Sequence, residues 1–171
     1  MGKNSKCVTT GASAQAGETE FVKIGCNSCH TMTLTTGPSA FKDLNNVSFQ
    51  PFSDFALHHM GSTLADGVTQ GKAGPDEFRT APLWGLGQRL FLLHDGRTPN
   101  LITAIEDHFT SPSLCTTVTS VTESFLLNGK QVSVPSQTTT FCGSDANTVI
   151  NNYKALNSTQ QQEILDFLRS L

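Results

Sequence analysis

With 171 residues, a net charge of −3 and an apolar share of 37%, the chain fits one domain, or one domain carrying an insertion, around a modest core. A bulky buried cofactor would supplement such a core. There is no basic footprint for nucleic acid or anionic lipid, and no apolar run approaches the ~18 residues of a membrane span, so those classes are set aside.

The opening run MGKNSKCVTTGASAQAG is polar and small-residued, without the hydrophobic stretch of an intact signal peptide. It reads as a flexible lead-in over 1–16, left either by signal removal or by a fragment placed behind a new Met1. The domain proper is expected over 17–171. Residues 18–24 begin as a short helix whose apolar side is Phe21, Val22 and Ile24, and Gly25 loosens the chain before Cys26-Asn27-Ser28-Cys29-His30. Residues 31–78 are loop-rich and glycine-punctuated, with a short helix expected over 52–61. An apolar cluster follows at 79–98. Thr98 and Pro99 then read as the N-cap and first position of a helix over 99–109, on which Leu101, Ala104, Ile105 and His108 share one face.

Ser and Thr dominate 111–147, which reads as an insertion holding a hairpin around Asn128-Gly129. Cys115 and Cys142 lie near its two ends and suit a disulfide in an oxidising compartment. Cys7 is left over from the five cysteines. The last helix is expected over 158–170, capped by Ser158 with Gln161 completing a capping box, and lined by Ile164, Leu165, Phe167, Leu168 and Leu171. Its predicted place is across the first helix.

The chemistry centres on Cys26, Cys29 and His30. C-x-x-C-H is the attachment pattern of haem c. Two thiols three positions apart reach two vinyl groups of one porphyrin, and the adjacent His lies under the iron. Three other readings compete. A thioredoxin-like pair needs a βαβ context, which is lacking here. Half of a zinc site needs a second closely spaced pair, and Cys115 and Cys142 lie far apart. Chance is the third. For the sixth iron position the candidates are His58, His59, Met60, His94 and His108. His108 stands out on the apolar face of its helix, although a core His bonded to a carbonyl fits that pattern equally. Met60 is the rival, as a common haem ligand or as ordinary packing beside the haem.

FVKIGCNSCH, SDFALHHMGSTLADG, EFRTAPLWGLGQRLFLLHDGRTPNLITAIEDH and YKALNSTQQQEILDFLRSL occur in that order. Together they resemble the C-terminal haem domain of the bacterial di-haem oxidoreductase family, whose members are named peroxidases or thiol oxidoreductases. It is a relative of the di-haem cytochrome c peroxidases and MauG-type enzymes. The resemblance implies an all-α, cytochrome c-like domain with one covalent haem c, the β-hairpin insertion hanging off one edge. It also implies Cys26 and Cys29 as thioether cysteines and His30 as proximal ligand. Counted from His94, the distal position of the relatives falls on His108. Arg79 and Trp84, in R-T-A-P-L-W-G, and His94 and Asp95, in H-D-G, are implied to line the haem pocket. Arg79 or Arg97 could pair with a propionate, or be solvated surface charges. The Trp84 indole could donate to a propionate, or be core. A carbonyl near Gly37-Pro38 could orient His30.

The chain departs from the family in having one C-x-x-C-H where two haems are expected. It also has His59 in place of an acidic residue, and a Ser/Thr-rich loop directly after His108. Electron transfer through a bis-His haem is therefore the leading reading. The catalytic or electron-entry half of a di-haem peroxidase, with Glu106 or His94 as acid/base, is the second, and an assembly module the third. The expected partner is a redox protein or an upstream haem domain, and the expected place is periplasmic or extracellular.

Overall fold

The computed structural model describes residues 11–119 and 122–171. In chain order these form α1 (Ala12–Ile24), β1 (Leu34–Thr35), β2 (Ser48–Phe49), β3 (Leu57–His59), β4 (Glu77–Arg79), α2 (Leu101–Glu106), β5 (Cys115–Thr119), β6 (Glu123–Leu127), β7 (Lys130–Val134), β8 (Thr138–Cys142), α3 (Asn147–Lys154) and α4 (Ser158–Ser170). No helix among them is long and apolar enough to cross a membrane. Cys7 and most of the expected lead-in lie outside the described residues.

The chain divides into two compact units. The first takes in the chain up to Leu57 with Arg79–Glu106 and Thr148–Leu171; the second is His58–Phe78 with Asp107–Asn147.

In the first unit α1 buries Ala14, Gly17, Phe21 and Ile24 along one face. Gly25 ends it in the left-handed conformation at φ 100°, its N–H reaching back to the carbonyls of Phe21 and Val22. The face packs on α4, which buries Ile164, Leu165, Phe167 and Leu168. The approach is so close that a Cβ at Gly17 would overlap the main-chain carbonyl of Glu163. Phe21 and Phe52 both meet Phe167 edge-on, at centroid distances of 5.2 and 5.8 Å. Leu86, Leu92, Ala104 and Tyr153 complete this core, and Cys26 packs against it. A capping box starts α4: the Asn157 side chain accepts from the Gln160 N–H, and the Gln160 side chain accepts from the Asn157 N–H.

The second unit is mostly sheet. β6 and β7 form a hairpin in the register Leu127↔Lys130, so Asn128 and Gly129 alone make the turn, at φ 52° and 75°. β5 pairs with β8, and the disulfide Cys115–Cys142 joins directly opposed residues of that ladder. Hydroxyl pairs cross both ladders: Thr117–Thr140 at 3.0 Å, Thr119–Thr138 at 2.9 Å and Ser124–Ser133 at 2.8 Å. Replacing Cys115 and Cys142 together by serine frees a loop spanning 27 positions, for an expected loss of about 3.5 kcal/mol. Hydrogen exchange should show the loss in the β5 and β8 amides; unchanged protection there would mean that the ladder holds without its crosslink.

The all-α expectation is overturned: 31% of the chain is helical and 20% is strand. β-Branched Thr and Val, poor at helix and good at pleated packing, turn the Ser/Thr-rich stretch into four strands. The expected helix over 52–61 is instead irregular up to β3, with Phe52 and Phe55 at positive φ. The expected helix over 99–109 shortens to α2; its start moves to Leu101 because Asn100, not Thr98, accepts from the N–H groups of Ile102 and Thr103, and it ends at Glu106. Conversely, α1 starts at Ala12, inside the expected lead-in.

Candidate functional site

Cys26, Cys29 and His30 sit directly after α1. The αL turn at Gly25 redirects the chain into a 3₁₀ turn over Cys26–Ser28, and the His30 N–H closes on the Cys26 carbonyl at 3.0 Å. Both thiols and the imidazole are half-buried. Burial pushes the Cys26 thiol up to about 12, against a smaller opposing backbone hydrogen bond. It is therefore a thiol and not a thiolate at neutral pH, which argues against a thioredoxin-like nucleophile.

The His30 ring is fixed from behind. Its Nδ1 lies 3.0 Å from the carbonyl oxygen of Phe52. A carbonyl only accepts, so Nδ1 carries the proton and donates, and the neutral ring then has its lone pair at Nε2, as an iron ligand requires. Phe52 can present that oxygen because residues 51–56 form a strained segment. Phe52 and Phe55 are non-glycine residues at φ 50° and 57°. Such conformations cost about 1 kcal/mol or more each and persist only where the surroundings enforce them. Here the N–H groups of Ser53 and Asp54 donate to the carbonyls of Thr31 and Cys29 at 2.9 and 2.8 Å. The Phe52 ring is 2% exposed in the core. The expected carbonyl near Gly37-Pro38 is thus replaced by that of Phe52, and Pro38 is exposed.

Two further features of the first unit suit a buried prosthetic group. Trp84, Leu90 and Phe91 are 46%, 77% and 66% exposed, a large apolar area for one short segment. Tyr153, the chain's single tyrosine, is buried, and its hydroxyl has no hydrogen-bond partner among the described residues. Burial raises its pKa, with Glu106 and Cys26 adding to the shift. Tyr153→Phe removes an unsatisfied hydroxyl, so stability is expected to hold or rise by up to about 1 kcal/mol. Thermal unfolding checks this; a clear drop in Tm would reveal a partner for the phenol.

The other sequence-derived residues are distributed as follows. Arg79 and His94 are exposed, and the Arg97 guanidinium is committed to Asp95, with Nε 2.7 Å from Oδ2. Met60 and His108 belong to the second unit. Met60 is 8% exposed, its N–H donating to the Asp76 carbonyl and its carbonyl accepting from the Thr110 hydroxyl. His108 lies in the turn after α2, half-buried, so the helical-face argument for it lapses. His59 is engaged by acids: Nδ1 is 3.4 Å from Asp76, Nε2 is 3.3 Å from Glu77, and the ring stacks on Phe141. His58 lies 3.9 Å from Asp145.

Phe52 and Tyr153 were missed from sequence. A main-chain carbonyl has no side-chain signature, and the only cue to Tyr153 is that it is unique.

The family model for "Di-haem oxidoreductase, putative peroxidase" matches residues 4–115. No curated protein and no solved structure matches the chain.

Proposed function

The chain belongs to the di-haem oxidoreductase family, and on that premise we propose that it is a c-type cytochrome domain. It binds one haem covalently through Cys26 and Cys29, with His30 as axial ligand, and transfers electrons. The observation that carries this reading is the His30 ring, whose Nδ1 is engaged by the Phe52 carbonyl directly beside the two thiols. When bound, haem iron supplies one-electron chemistry at a potential set by its axial ligands, their hydrogen bonds and burial.

The residues divide the work. Cys26 and Cys29 anchor the group, so it stays when the fold opens. His30 binds the metal in one tautomer and one orientation. Trp84, Leu90 and Phe91 supply apolar surface that excludes water. His108 is proposed as the second axial ligand on the strength of the family resemblance alone. Arg79 is proposed as a propionate partner, and Met60 and His94 as neighbours of the group. The proposed partner is a redox protein or a second haem domain. The disulfide is consistent with an oxidising compartment, and we place the chain in the periplasm or outside the cell.

The family match favours a second reading, the catalytic or electron-entry half of a peroxidase-type enzyme. That role needs an open iron position and an acid/base group, with Glu106 and His94 as candidates. An optical spectrum of the holoprotein, oxidised and reduced, with and without peroxide or carbon monoxide, separates the two. A low-spin spectrum that lacks the far-red methionine band and ignores both ligands supports His30 with His108. A high-spin component that responds to ligand sinks the His108 assignment and puts the peroxidase reading first.

A further inference from the structure

The backbone of the R-T-A-P-L block at 79–83 is tied to the segment that orients His30. The Ser53 hydroxyl, 0% exposed, donates to the Thr80 carbonyl at 2.7 Å and accepts from the Phe55 N–H at 2.9 Å. The Thr80 N–H donates to the Ala56 carbonyl at 3.0 Å. The Leu83 N–H donates to the Pro51 carbonyl at 3.0 Å. Residues 51–56 are therefore held on one side by Thr31 and Cys29, and on the other by Thr80 and Leu83. Phe52 and Phe55, both in the left-handed region, lie between these attachments.

We propose that Ser53 is a positioning residue for the metal centre: by tying the 51–56 segment to Thr80, it holds the Phe52 carbonyl against His30 Nδ1 and so tunes the ligand strength of Nε2. This rests on the haem reading of His30. A hydrogen bond from Nδ1 raises the basicity of the ring and favours the oxidised metal. Loss of the Ser53 hydroxyl frees the Thr80 carbonyl and the Phe55 N–H together. The segment then relaxes toward ordinary φ values, and the Phe52 oxygen withdraws.

The test uses the full chain matured with haem. Covalent haem is first quantified in the unmodified protein; its absence would remove the haem reading itself and is seen before any variant is made. In Ser53→Ala the midpoint potential is expected to rise and the low-spin EPR anisotropy to change, with haem content retained. Ser53→Thr keeps the hydroxyl and is expected to return both toward the original values. A Ser53→Ala protein that is less stable but has the original potential and EPR spectrum overturns the proposal, because Ser53 would then be structural only. If Ser53→Ala does not load haem, hydrogen exchange in the unmodified holoprotein decides. The His30 ring N–H and the amides of Ser53 and Thr80 are expected to open together, as one unit. A ring N–H that exchanges while the Thr80 amide stays protected also overturns it.

Discussion

Serine at both Cys26 and Cys29 is expected to abolish haem staining on a denaturing gel completely. The hydroxyl has neither the nucleophilicity nor the bond chemistry to form a thioether, so any haem held by His30 alone is lost when the fold is denatured. Each single substitution leaves one link and is expected to retain part of the stain. His30→Ala probes a different term: both thiols remain, so covalent haem can still form, but the spectrum loses its strong-field histidine signature. Undiminished stain in the double variant would show that the attachment lies elsewhere and would discard the c-type assignment. The contrast among the three variants separates anchoring from ligation, which a single activity assay would merge.

The second large effect concerns packing. Gly17→Ala is expected to destabilise the first unit by about 3 kcal/mol. In an exposed helix the same exchange is favourable by about 1 kcal/mol, because alanine is the better helix former. At Gly17 the added methyl would overlap the Glu163 carbonyl, and backbone cannot swing aside as a side chain can. α1 must then lift from α4, loosening the contacts of Phe21 and Ile24. Gln15→Ala, at an exposed position of the same helix, is the control for propensity. Denaturant midpoints of the two variants should move by very different amounts; an equal, small response would mean that the helices adjust freely.

Several local features could be read directly. The C-x-x-C-H run, the Asn128-Gly129 hairpin and the disulfide each rest on a local rule: a fixed spacing, a turn that needs positive φ, and cysteines at the ends of one insertion. α4 was legible for the same reason, although its cap is Asn157 with Gln160, one residue earlier than Ser158 with Gln161. What failed was non-local or concealed by composition. The start of α1 is rich in Ala, a strong helix former, but Ala14 and Gly17 are too small to show an apolar period. α3 reads Asn-Thr-Val-Ile-Asn-Asn-Tyr-Lys, mostly poor helix formers, and buries only Ile150 and Tyr153. The family resemblance, strong in the haem segments, was extended to an all-α fold across a Ser/Thr-rich stretch that obeys strand rules. The Phe52 carbonyl lies beyond any side-chain reading.

The order of the segments along the chain has a kinetic consequence. The first unit is discontinuous, and the whole of the second is encoded between its early and late parts. During synthesis Cys26, Cys29 and His30 emerge first, while α4, which covers α1 from behind, arrives only after both excursions of the second unit are made. Until then Phe21 and Phe167 cannot meet, and α1 lacks the partner helix against which most of its face packs. The C-x-x-C-H run is thus made well before the helix that packs behind α1. Attachment of the proposed haem would need both thiols accessible, and they are most accessible while α4 is undocked from α1.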